Sequence, residues 1–137
     1  MELRRWREVR DIPLILEPAN FRSAEAAGVR LVIAAKLQGK DAHSLATELG
    51  RAIWERDEPI AEPEVIDAAA KRAGLDAAAI RAAAPSDAEL DGLHDQYTQE
   101  ALAAGVFGAP SYVLPSGEFF WGQDRLEMLE RALKMMK

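Results

Sequence analysis

The sequence predicts an α+β fold, mostly helical, in which five or six helices are followed by one β-hairpin and one amphipathic helix. Three observations carry this. Segments with apolar residues at helical spacing, separated by glycine, proline and capping residues, run from Leu3 to about Ala104. At Gly105 the register changes to β-favourable residues on either side of a Pro-Ser-Gly turn. After Gly122 an apolar stripe of helical period returns.

Taken in order, Leu3 to Arg10 places Leu3, Trp6 and Val9 at i, i+3 and i+6, which suits a short helix. Asp11 to Pro18 reads as an extended connector, because Pro13 and Pro18 disfavour helical geometry in the residue before each. Ser23 is a good N-cap for a helix running to about Gln38, and Gly39 stops it. Asp41 caps the next, which carries Leu45, Leu49, Ala52 and Ile53 on one face and ends near Glu55. Pro63 suits a first helical position, with Val65, Ile66 and Ala69 following and Gly74 closing the helix. Asp76 caps a short helix that ends near Pro85, and Ser86 or Asp87 opens a longer one to about Ala104. Ser111–Leu114 and Glu118–Trp121 are strands joined by Pro115-Ser116-Gly117, a three-residue hairpin connection. Gly122-Gln123-Asp124 leads into a last helix striped with Leu126, Leu129, Leu133 and Met136.

Composition narrows the chemistry. With 137 residues, 29% charged and 49% hydrophobic, the chain has the profile of one ordinary globular domain. A net charge of −6 argues against a nucleic-acid partner, since the phosphate backbone requires a basic face. No apolar run approaches the roughly 18 residues that span a bilayer, and no signal-peptide core follows Arg5. The expectation is a soluble, cytoplasmic protein without a membrane partner. The absence of cysteine excludes a disulfide, a thiolate nucleophile and a zinc–thiolate site. Only His43 and His94 could add imidazole ligands, so no metal site is expected. His43 in a first turn and His94 on a charged helix face read as solvated, as does the basic run Arg4, Arg5, Arg7 and Arg10. Trp6 and Trp54 read as packing residues.

The run Gly105-Val106-Phe107-Gly108-Ala109-Pro110-Ser111-Tyr112-Val113 is unusual in opening a strand with proline directly after a glycine-containing loop. On spacing alone the proline reads as trans, since only about 5–6% of X–Pro bonds in folded proteins are cis. This run, the hairpin, Phe120-Trp121-Gly122-Gln123-Asp124-Arg125-Leu126 and the terminal helix together resemble the end of 2-hydroxychromene-2-carboxylate isomerases. These belong with kappa-class glutathione transferases and DsbA-like proteins, thioredoxin folds with an inserted helical domain. Thr98, Glu100 and Ala101, and Pro63-Glu64-Val65 in the helical part, also fit that pattern. Residues 1–20 would then be a helix and connector, 21–104 the all-helical insertion, and 105–137 the thioredoxin-like hairpin and last helix.

The resemblance implies a cis bond at Ala109–Pro110 and a glutathione whose cysteinyl backbone pairs with Ala109 as an added strand would. It also implies that Asp124 and Arg125, at the start of the last helix, hold the γ-glutamyl end. Physical chemistry agrees, since free N–H groups there suit a carboxylate and an acidic side chain suits an ammonium. Asp124 read alone is a first-turn helix stabiliser. Trp121 reads equally as core or as the lining of a pocket for an aromatic substrate. The implied activity is glutathione-dependent cis–trans isomerisation of 2-hydroxychromene-2-carboxylate-type aromatic acids, in which glutathione thiolate adds to the substrate, permits rotation and leaves.

The family pattern begins with a strand–helix–strand unit carrying a catalytic serine, and that unit has no counterpart in this chain. Ser23, Ser44, Ser86, Ser111 and Ser116 lie elsewhere, so no catalytic residue is assigned. A truncated or misassigned reading frame, a fragment of a split protein and a domain that lost catalysis are the three explanations. A non-catalytic ligand-binding or assembly module is the alternative function. A DsbA-like oxidoreductase is a weaker one, opposed by the lack of cysteine and by Trp121-Gly122-Gln123-Asp124-Arg125. An apolar hairpin edge without the missing unit predicts a homo-oligomer, or a partner that supplies the strands.

Overall fold

A computed structural model describes residues 2–136 and has the expected element order. Helices α1 (Glu2–Arg10), α2 (Ala26–Leu37), α3 (Ala42–Trp54), α4 (Pro63–Arg72), α5 (Ala77–Ala82) and α6 (Asp87–Ala103) precede strands β1 (Ser111–Val113) and β2 (Phe119–Trp121). A 3₁₀ turn, Gln123–Arg125, then leads into α7 (Leu126–Met135). The fold is therefore mostly helical with one small antiparallel sheet. Packing divides the chain into two units, one ending at His94 and one beginning at Asp95, so α6 runs through both.

In the first unit, α2, α3, α4 and α5 bury a common apolar interior. Leu31, Leu45, Leu49, Ile66 and Ile80 are buried there, and Leu45 is 0% exposed. Ala35, Ala52, Ala69 and Ala70 are fully covered as well. Small side chains at these contacts let the helix backbones approach closely, and Gly28 leaves room for Leu49 in the same way. Full burial of a leucine contributes roughly 1.5–3 kcal/mol, so this interior is the main source of stability in the unit.

Helix ends follow their capping chemistry. The Asp41 carboxylate accepts the Ser44 N–H at 2.9 Å, and Asp76 accepts the Ala79 N–H at 3.0 Å. Pro63 occupies the first turn of α4. Of the two candidates for α6, Ser86 is the cap: its N–H donates to Glu89 Oε2 at 2.9 Å, and Glu89 N–H reaches back to Ser86 Oγ at 3.4 Å. Ser23, by contrast, does not cap α2. That helix begins three residues later, and Glu25 at its N-cap makes no side-chain cap bond. The physical reason lies upstream. Asn20 is tied to Asp57, with its N–H on Asp57 Oδ1 at 2.8 Å and its amide on the Asp57 carbonyl at 2.7 Å. Ser23 N–H then closes a turn on the Asn20 carbonyl at 3.0 Å, which holds Ser23 in the loop.

The connector after α1 pairs once with α3, through Ile15 N–H and the Trp54 carbonyl at 2.7 Å. Phe21 packs on Trp54 with ring centroids 5.0 Å apart. Arg30 of α2 fixes the start of α6 by gripping both oxygens of Asp91, at 2.7 and 2.6 Å, and Asp87 at 2.8 Å. The Arg30 guanidinium holds the Asp91 carboxyl below its usual range, first through that hydrogen bond and then through its charge.

In the second unit, Gly105 takes the left-handed conformation that stops α6, and Val106 N–H closes on the Ala101 carbonyl at 2.9 Å. Ser111 pairs with Trp121, Tyr112 with Phe120 and Val113 with Phe119. The hairpin is closed by Leu114 N–H on Glu118 O and by Gly117 N–H on Leu114 O. Pro115 presets the second position of this turn, and Gly117 supplies its positive φ of 84°. Helix α7 buries no residue, and Leu126, Met128 and Leu133 on it are exposed.

Candidate functional site

The loop after α6 delivers a segment of backbone with free hydrogen-bonding groups. Ser111 Oγ donates to the Gly108 carbonyl, and the Pro110 carbonyl accepts the Gly122 N–H at 2.9 Å. The Ala109–Pro110 peptide between them is cis. Ala109 is exposed, and among the described residues neither its N–H nor its C=O has a partner. An extended ligand backbone could therefore add to it as a short strand.

The same alternation governs β1. Bonds at Pro110–Gly122 and Leu114–Glu118 make Tyr112–Phe120 the hydrogen-bonded pair of the ladder. The backbone groups of Ser111 and Val113 point to the other edge, where no strand lies among the described residues. The hairpin thus has one closed and one open side.

Asp124 and Arg125 sit in the 3₁₀ turn that opens α7, and both side chains are exposed, with Arg125 Nε 3.8 Å from Asp124 Oδ2. Gly122 is what allows this. Its φ of 104° and ψ of 150° belong to backbone that only glycine adopts readily, and a Cβ there would collide with Asp124 Oδ1. The carboxylate therefore folds back over a bare stretch of main chain. The turn presents one anion and one cation side by side, the complement of an amino-acid head group.

Trp121 is neither simple core nor an isolated surface ring. It is 51% exposed and packs at 5.1 Å on Phe107, which in turn lies 5.5 Å from Phe119. Phe107 is 70% exposed. Sequence reasoning singled out Trp121 and missed Phe107 and Gly108 as individual residues. The signal was present in the Phe-Gly pair before Ala109, but alternation along the strands cannot show which loop residue joins a strand face. Among the described residues no group of histidines and carboxylates could hold a metal ion. No described helix is long and apolar enough to cross a membrane.

A helical chain that ends in a proline-led hairpin and one last helix, with a bare backbone step before the proline, defines a class. The chain belongs to the DSBA-like thioredoxin domain family, whose profile matches residues 1–134. Within that family it is similar to 2-hydroxychromene-2-carboxylate isomerase of Pseudomonas putida, at 33% identity over 137 residues, covering 97% of this chain and 63% of that protein. The enzyme of the same name from Pseudomonas sp. (strain C18) is 32% identical over 136 residues, covering 97% and 60%. A solved structure of 2-hydroxychromene-2-carboxylate isomerase superimposes with a TM-score of 0.69 at 28% identity, covering 98% of this chain and 64% of that one. The chain thus spans less than two thirds of the length of these relatives.

Proposed function

We propose that this chain forms the glutathione-holding part of a cis–trans isomerase for 2-hydroxychromene-2-carboxylate-type aromatic acids. The observation that carries the reading is the unpartnered backbone of Ala109, directly before Pro110 and on the same hairpin unit as Asp124 and Arg125. Glutathione's cysteinyl N–H and C=O would complete Ala109. Its γ-glutamyl ammonium would meet Asp124 and its carboxylate Arg125, each a charge-assisted contact. Held there, the thiolate could add to the aromatic acid, let a bond rotate and leave. Trp121 would receive the aromatic ring. No serine of this chain is assigned to activating the thiol.

Calorimetry with glutathione, run beside an isomerase assay on 2-hydroxychromene-2-carboxylate, tests this reading. Binding of glutathione with 1:1 stoichiometry, abolished in Asp124→Ala/Arg125→Ala, is the expected result. No heat of binding at millimolar glutathione would remove it. The open edge of β1 favours a second reading, in which the chain is an assembly module that takes a strand from another copy or another protein. Under that reading glutathione does not bind, and association depends on the β1 edge.

A further inference from the structure

We infer that Gly108 is a specificity-determining spacer, whose missing side chain seats the Trp121 indole beside Phe107 as a stacking platform for a planar aromatic acid. The inference rests on the proposed reading that this site takes such an acid, and adds the residues that select its ring.

The geometry is particular. A Cβ at Gly108 would lie 2.9 Å from Trp121 Nε1 and 3.5 Å from its Cε2. Real Cβ atoms do not approach that closely, so any side chain at 108 must displace the indole. The indole is rigid and cannot give at one end, so the whole ring must turn. Gly108 has no need of glycine for its own backbone, because it does not lie in the left-handed region as Gly105, Gly117 and Gly122 do. Its lack of a side chain is instead matched to the ring that lies against it.

That ring is one end of a tilted stack whose middle is Phe107. Phe107 meets Trp121 at 5.1 Å and 55°, and Phe119 at 5.5 Å and 39°. Tilted rings at these separations are favourable arrangements for aromatic pairs. Phe107 and Trp121 are the most exposed of the three. Phe107 and Gly108 immediately precede Ala109, so the platform adjoins the free backbone by chain connectivity alone. A flat ring laid on Phe107 and Trp121 would complete the stack. A saturated ring of equal charge would lack the face-to-edge complementarity.

The test uses 2-naphthoate as the aromatic probe and decahydronaphthalene-2-carboxylate as its saturated counterpart, with glutathione binding measured separately. The three indole N–H resonances in a ¹⁵N spectrum are distinguished by loss of one in Trp121→Phe. Naphthoate should shift the Trp121 resonance selectively and bind about three- to tenfold more tightly than the saturated acid. Gly108→Ala should move the Trp121 resonance in the free protein and weaken naphthoate about three- to tenfold, with glutathione affinity unchanged. Phe107→Ala, which truncates a mostly exposed ring, should weaken naphthoate similarly and decides the matter should Gly108→Ala not fold. Equal binding of the two acids, an unmoved Trp121 resonance, or unchanged naphthoate affinity in Phe107→Ala would overturn the inference. Loss of glutathione binding with naphthoate retained would sink the glutathione reading and leave this one standing.

Discussion

At the scale of single residues, charge placement separates structure from function. Asp124 is exposed, lies over the bare main chain of Gly122 and has one ion pair among the described residues, with Arg125 at 3.8 Å, so its removal costs the fold little. Asp124→Ala should leave the melting temperature within a degree or two, yet weaken glutathione by about tenfold or more if a charge-assisted bond is lost. Calorimetry beside a thermal melt checks both parts, and unchanged affinity would return Asp124 to a helix-stabilising role. Asp57 is the opposite case. The N–H groups of Asn20 and Ala19 hold its carboxyl below the usual range. A depressed carboxyl contributes stability above its unfolded value, near pH 4, and that contribution disappears as pH falls through the lower folded value. Asp41, Glu48, Glu89 and Asp91 are shifted in the same direction. The melting temperature should therefore fall as the pH drops below about 4. Asp57→Asn should reduce the size of that fall, since asparagine tolerates the positive φ of 54° but cannot ionise. Circular-dichroism melts across this range measure the difference, and equal slopes would refute it.

At the scale of elements, the helical unit and the hairpin unit are held by different forces. Leu45 is fully buried between helices whose alanines bring the backbones close, so little can relax around a cavity. Leu45→Ala should destabilise that unit by about 2–5 kcal/mol, read from urea denaturation. A loss below about 1 kcal/mol would mean that the helices collapse onto the gap. The hairpin has no such interior. Its closed side depends on Pro115 and Gly117 in the turn, and its aromatic face remains half exposed. Element identity was legible because the periodicity, Asp41, Asp76, Pro63, Gly39 and Gly74 all agreed at their own positions. The start of α2 was not legible, because Asn20 and Asp57, 37 residues apart, hold Ser23 in a turn.

At the scale of the whole molecule, the open edge of β1 is the feature with consequences for association. Among the described residues, the backbone groups of Ser111 and Val113 on that edge have no strand partner, Val113 is exposed, and no lysine lies in either strand. Such an edge pairs with another strand unless charge or a covering element prevents it. Light scattering on the 137-residue chain should show a dimer or larger species, or aggregation. Val113→Lys should shift that distribution toward monomer. A concentration-independent monomer for the unaltered chain would defeat the prediction.

The sequence by itself determined the element order, most of the helix caps, the hairpin with its glycine turn and the family, because each is written in residues close together along the chain. It also placed Ala109, Pro110, Asp124 and Arg125 as the candidate site, though through resemblance rather than through spacing. Only the tertiary structure decided which rings meet. Phe107 comes from a loop and Trp121 from a strand, and their contact depends on Gly108 lacking a side chain at the point where the indole lies. It also decided that Arg30 and Asp91, 61 residues apart, would pin α2 to α6. Local pattern fixes what one stretch of backbone prefers, whereas contacts across such distances exist only once the chain has closed on itself.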